Sequence, residues 1–326
     1  MLVPRLLFRT SNRNLFQPCK TSIVKRNLLF GRGRSLNDDD FFIFQASDKY
    51  RVSREAKIYW QGPRWSKFLF TMRFVGTSLT LSSLFFVGSS LIVESAEKSP
   101  SLSNIINESK APVTFSLIGI SGALFLLKRG IPGLTPYLVK FGYLRLDVMS
   151  LFNIIRSPYS NASSLVVSAF SHRDFLHLAF NAYALYNLGT FIEQSYGPQA
   201  ILALYSSGIF FGPLFGLLLQ RVRLPTLGAS AAGMAMFSFV ATEWPAINVH
   251  PIGLPDFQMT LQNAMYATVV WTFFGLGRMW FLPRYAGSID HAGHLGGLVG
   301  GWVYANYLKR QKQLRQAQAK KWFIVW

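Results

Sequence analysis

Three groups of residues in this chain have the types and spacing to act together on a carbonyl carbon. Ser230 follows Gly228 and Ala229 at the start of an apolar run, and His294 lies in the segment Asp290-His291-Ala292-Gly293-His294. His177 and Asn181 are four residues apart, so a helix would put them on one face. A serine hydroxyl becomes a nucleophile when a base takes its proton, and imidazole is such a base near neutral pH. A His–Asn face, together with a backbone N–H, can donate hydrogen bonds to the oxyanion that then forms. Each group alone has a plainer explanation. Ser230 would be a packing residue or an N-cap, His294 a polar contact between helices, and His177–Asn181 a hydrogen-bonded pair. Together they are the parts of acyl transfer: nucleophile, general base and oxyanion donors.

Metal chemistry is the competing use of the imidazoles. The chain has five histidines and one cysteine, Cys19. There is no H-E-x-x-H segment, and no glutamate lies within one turn of the pair His291 and His294, so neither a metal nor another cofactor is expected. A lone cysteine excludes a disulfide framework. Asp290 is the nearest acid to His294 in sequence, but a Ser–His dyad without an orienting carboxylate fits the pattern better.

The elements that must position these residues are membrane spans. Half of the chain is hydrophobic and only 14% is charged, against about 25% in soluble domains. Long apolar runs alternate with short basic or polar loops, as in a chain that uses the bilayer as solvent. Seven spans are predicted: Phe74–Val93, Pro112–Leu127, Leu176–Ile192, Gln199–Gln220, Thr226–Thr242, Leu261–Gly277 and Ala292–Leu308. Gly130–Ser171 is expected to be a long structured connection. The candidate groups fall at the starts of the third, fifth and seventh spans, and polar groups at membrane depth are by default functional or packing sites. Gly293, Gly297 and Gly301 recur every four residues, a stripe that would let the seventh span approach the fifth closely.

The net charge of +19 is concentrated at the two ends of the chain. No basic face is interleaved with stacking aromatics, so nucleic acid is not an expected partner. Residues 1–35 carry Arg5, Arg9 and Arg13 on one helical face and no acid, the pattern of a mitochondrial transit peptide. Residues 36–73 are expected to be a soluble or interfacial segment, 74–93 an extra span, 110–308 the core, and 309–326 a basic tail.

The three motifs in this order resemble the rhomboid family, and specifically its mitochondrial branch. His172-x4-His177-x3-Asn181 resembles the second core helix, whose last two residues serve the oxyanion. Gly228-Ala229-Ser230 resembles the G-x-S nucleophile motif. Asp290-His291-Ala292-Gly293-His294-Leu295-Gly296-Gly297 resembles the D-H-A-x-H-L-G-G run whose second histidine is the base. The resemblance implies an all-α polytopic helix bundle, with a six-helix core and one extra N-terminal transmembrane helix. It implies a Ser230–His294 dyad supported by His177, Asn181 and Gly228, in a mitochondrial inner-membrane protease. Its partners would be the lipid bilayer and transmembrane protein substrates or imported precursors, such as a dynamin-like fusion GTPase in fungi. The alternative is a non-catalytic relative that binds membrane clients. One departure stands beside the nucleophile: the family pattern has glycine there, and this chain has Ala231. Alanine keeps its backbone N–H, so the oxyanion site is expected to survive.

Overall fold

A computed structural model describes residues 64–99, 103, 108–131, 158–220, 227–251, 254–281 and 289–323, all within the unit Arg51–Trp326. The expected transit peptide lies outside them. The elements in chain order are α1 (Arg64–Lys98), α2 (Pro112–Gly130), α3 (Pro158–Phe170), α4 (Phe175–Ala184), a π-helical turn (Leu185–Gly189), α5 (Thr190–Tyr196), α6 (Pro198–Leu219) and α7 (Ser230–Glu243). After these come a two-residue antiparallel pair, β1 (Asn248–Val249) and β2 (Met259–Thr260), then α8 (Leu261–Phe281) and α9 (His291–Phe323). The chain forms an all-α membrane helix bundle.

Each expected span corresponds to a helix, with four differences. The third is α4 and α5 joined through the π turn rather than one uniform helix. The turn falls where Gly189 meets α2, and a Cβ on Gly189 would lie 2.8 Å from the Thr114 methyl. The fifth begins only at Ser230, so its 14 residues rise about 21 Å. The seventh does not stop at Leu308: the basic segment expected as a tail continues the same helix to Phe323. At the other end, α1 starts at Arg64, inside the segment expected to be soluble or interfacial. By length and composition, three helical stretches among the described residues can cross a membrane: Phe74–Lys98, Pro112–Gly130 and Pro198–Leu219.

The core centres on α6, whose Ile201, Leu204 and Tyr205 are fully buried. Pro198 at its first turn costs no hydrogen bond, because that N–H has no intrahelical acceptor. α3 is a helix that the broken sequence of the long connection conceals. It is held by ring packing: Phe170 stacks on Tyr205 at 5.0 Å, and Phe85 of α1 lies 5.9 Å from both. The Tyr205 hydroxyl donates to the Ala169 carbonyl at 3.0 Å.

Glu193 is a buried carboxylate that the sequence presented only as a span end. It accepts from the Val113 N–H (2.9 Å), the Thr114 N–H (2.8 Å) and the Thr114 hydroxyl (2.7 Å). It thus supplies acceptors to the first turn of α2, whose own N-cap residue, Ala111, has none to offer.

Candidate active site

α7 and α9 run parallel, and their contact is set by glycine. A Cβ on Gly297 would fall on the Ala231 carbonyl, and one on Gly301 on the Ala235 carbonyl. The two contacts keep one register a turn apart, so the first turn of α7 lies beside the second turn of α9. A second glycine row packs on α6. Gly296 lies against the Phe211 carbonyl, and a Cβ on Gly300 would sit 2.9 Å from the Phe211 ring. α9 is thereby wedged between α6 and α7. Gly293, expected to extend the first row, does a different job. A Cβ there would strike the carboxylate of Asp290, not α7.

Asp290 N-caps α9. Its Oδ1 accepts from the Gly293 N–H at 2.8 Å and from Gln220 Nε2 at 2.6 Å. That links the end of α6 to the first turn of α9. These two hydrogen bonds give the Asp290 carboxylate a structural role.

The segment before Ser230 is held from two sides. The Gly228 N–H donates to the Ser168 carbonyl at 2.8 Å, and the Ala229 N–H donates to His172 Nε2 at 3.5 Å. The other ring nitrogen of His172, Nδ1, donates to the Phe170 carbonyl at 3.2 Å. Burial, and after it the neighbouring His177, lowers the His172 pKa to about 4, so this ring is neutral when it accepts from Ala229. The sequence offers His172 only as the first member of a motif. The structure shows what it touches: the strap that carries the serine.

Gly228 has φ +110°, a conformation that favours glycine. A Cβ there would also lie 2.8 Å from the His177 ring and 3.9 Å from Asn181 Nδ2. Gly228, His177 and Asn181 are thus brought together. Asp174 caps α4 by accepting from the His177 N–H at 2.8 Å, which fixes the first turn that carries that ring. Asn181 Nδ2 donates to the His177 carbonyl at 2.7 Å. The His294 ring lies 6.5 Å from that of His291, centre to centre. Ser230 and His294 share this end of the bundle, but no hydrogen bond joins them among the described residues. In substrate-free sites such bonds are commonly long and tighten on binding.

Ala231, the departure from the family pattern, is accommodated from α6. A Cβ on Gly212 would lie 2.8 Å from the Ala231 methyl, and Gly208 packs against the Ala232 backbone. α6 thus carries no side chain at the point where the turn around Ser230 carries a methyl group. Beside Ser230 opens a small cleft, lined by residues that include Leu165, Ile209, Leu227 and Gly293.

This arrangement defines a class: a membrane helix bundle with a serine and a histidine at one end. Residues 159–311 match the model of the Rhomboid domain, and this part of the chain belongs to the rhomboid family. It is 29% identical over 220 residues to "Rhomboid protein 1, mitochondrial" of Saccharomyces cerevisiae, covering 65% of this chain and 58% of that protein. It is 30% identical to "Presenilin-associated rhomboid-like protein A, mitochondrial" of Danio rerio, over 54% of this chain and 43% of the relative. It is 32% identical to the human "Presenilin-associated rhomboid-like protein, mitochondrial", over 44% of this chain and 38% of the relative. The matched part is therefore less than two thirds of each relative's length.

Proposed function

We propose that this chain is an intramembrane serine endopeptidase of the mitochondrial inner membrane that cleaves single-span membrane proteins or imported precursors. The observation that carries the reading is the placement of Ser230. α7 is shorter than the roughly 30 Å hydrocarbon core, and the serine is its first residue. The nucleophile is therefore recessed below one membrane face, on the turn opposite His294, with His177 and Asn181 against Gly228. The mitochondrial assignment rests on the basic N-terminal segment and on relatives named as mitochondrial.

In this reading His294 takes the Ser230 proton and Oγ attacks the scissile carbonyl. The oxyanion accepts from the Ser230 N–H, which as the first helical N–H has no intrahelical acceptor, and from His177 and Asn181. Collapse of the tetrahedral intermediate breaks the C–N bond, and His294 returns its proton to the leaving amine. Water, deprotonated by His294, then attacks the acyl-serine and releases the acid. A transmembrane helix satisfies its backbone internally, so a substrate must open locally to expose that carbonyl.

The test is labelling of the full chain by a fluorophosphonate probe. The wild type should label and Ser230→Ala should not, with both inserted in the membrane. Equal labelling of the two would overturn the assignment. A second reading is a non-catalytic client-binding protein, in which Ser230 and His294, not hydrogen-bonded among the described residues, stay unjoined when a client binds. It requires the wild type to bind membrane clients without cleaving them, as Ser230→Ala does.

A further inference from the structure

α9 does not end with its span. The helix continues beyond Leu308 to Phe323, and the stretch from Arg310 to Lys321 adds about 17 Å at 1.5 Å per residue. It carries Arg310, Lys312, Arg315, Lys320 and Lys321, and no acid occurs from Lys309 to Trp326. A period of 3.6 residues distributes these five positions all round the axis. Arg310, Lys312 and Arg315 are exposed, and none pairs with a described carboxylate.

Lys309 is engaged elsewhere, and its contacts fix where the extension leaves the bundle. Its Nζ donates to the Thr242 carbonyl at 2.8 Å and lies 3.5 Å from Glu243. That is the C-terminal end of α7, the end remote from Ser230. An aromatic cluster marks the same level. Trp244 packs on Phe191 at 4.8 Å and on Tyr196 at 5.6 Å, and the Tyr196 hydroxyl donates to Glu243 at 2.7 Å. Ile247, Leu254 and Phe257, in the connection that follows, are exposed. Trp and Tyr with exposed apolar side chains are the residues of a membrane–water interface. The cations therefore begin at headgroup height.

We propose that the α9 extension is a collar that binds anionic phospholipid headgroups, on the membrane face opposite the Ser230 cleft. Charge complementarity selects an anionic occupant, and the distribution selects lipid. A protein partner would dock on one face, whereas headgroups surround an upright helix on every side. The collar does not depend on Ser230 being a nucleophile. Each Lys or Arg near an anionic surface strengthens binding roughly five-fold, an attraction that salt screens.

The experiment is native mass spectrometry of the full chain released from vesicles of phosphatidylcholine and phosphatidylglycerol. The wild type should retain phosphatidylglycerol several-fold above its share of the vesicle lipid. The variant R310Q/K312Q/R315Q/K320Q/K321Q should retain it only in proportion to that share. The charge-preserving variant R310K/K312R/R315K/K320R/K321R should keep the enrichment, which separates charge from folding. Enrichment unchanged in the glutamine variant, or lost in the charge-preserving one, would overturn the proposal. So would complete displacement of the lipid by inorganic phosphate, which would make the collar a free-phosphate site, or by polyglutamate, which would make it an acidic-peptide site.

Discussion

At the residue scale, Ala231 and Gly212 explain each other. The methyl group beside Ser230 occupies space that Gly212 leaves free on α6. Gly212→Ala should therefore press a second methyl into the first, at an overpacking cost of about 1–3 kcal/mol. It should slow fluorophosphonate labelling of Ser230, and Ala231→Gly in the same chain should restore the rate. Failure of the double variant to recover would show that Gly212 acts through another contact. Gly228 is bound by two independent demands, its positive φ and the His177 ring against it. The sequence showed it only as the first letter of a short motif.

At the element scale, short α7 and long α9 divide the work. The brevity of α7 recesses the serine. The two glycine rows of α9 set its height against both α6 and α7, and Asp290 fixes its first turn. The same logic governs α2, whose first turn depends on a carboxylate from α5. Glu193→Ala would strand the Val113 and Thr114 N–H groups in the interior. Lost charge-assisted bonds of this kind cost about 1.5–3 kcal/mol each. We expect a lower thermal midpoint for the detergent-solubilised chain. Glu193→Gln should recover much of it, since its amide oxygen still accepts. A midpoint unchanged by the alanine variant would remove Glu193 from this role.

At the scale of the whole molecule, the helices alternate between two ends. His177, Gln220, Ser230, Asp290 and His294 lie at one, and Glu193, Glu243 and Lys309 at the other. Single cysteines replacing Arg129 and Asp256, in a Cys19→Ser background, should then react with an impermeant thiol reagent from opposite sides of uniformly oriented sealed vesicles. Reaction of both from one side would refute this wiring.

The sequence by itself determined the membrane class, the approximate spans and the residues with the chemistry of acyl transfer. Those are properties of composition, local period and short motifs, which survive without knowledge of distant partners. It also located the glycines of α9 and pointed one stripe at α7, but did not show that Gly296 and Gly300 meet α6, because one helix surface is compatible with several packing partners. The tertiary structure alone decided that Gly293 belongs to the Asp290 cap while Gly297 and Gly301 meet α7. It alone showed α3, held by rings from α1 and α6, and His172, which reaches a strap 57 residues away in the chain. It alone matched Ala231 to Gly212. Each of these is a contact between residues far apart in sequence, and such contacts exist only once the helices have been placed side by side.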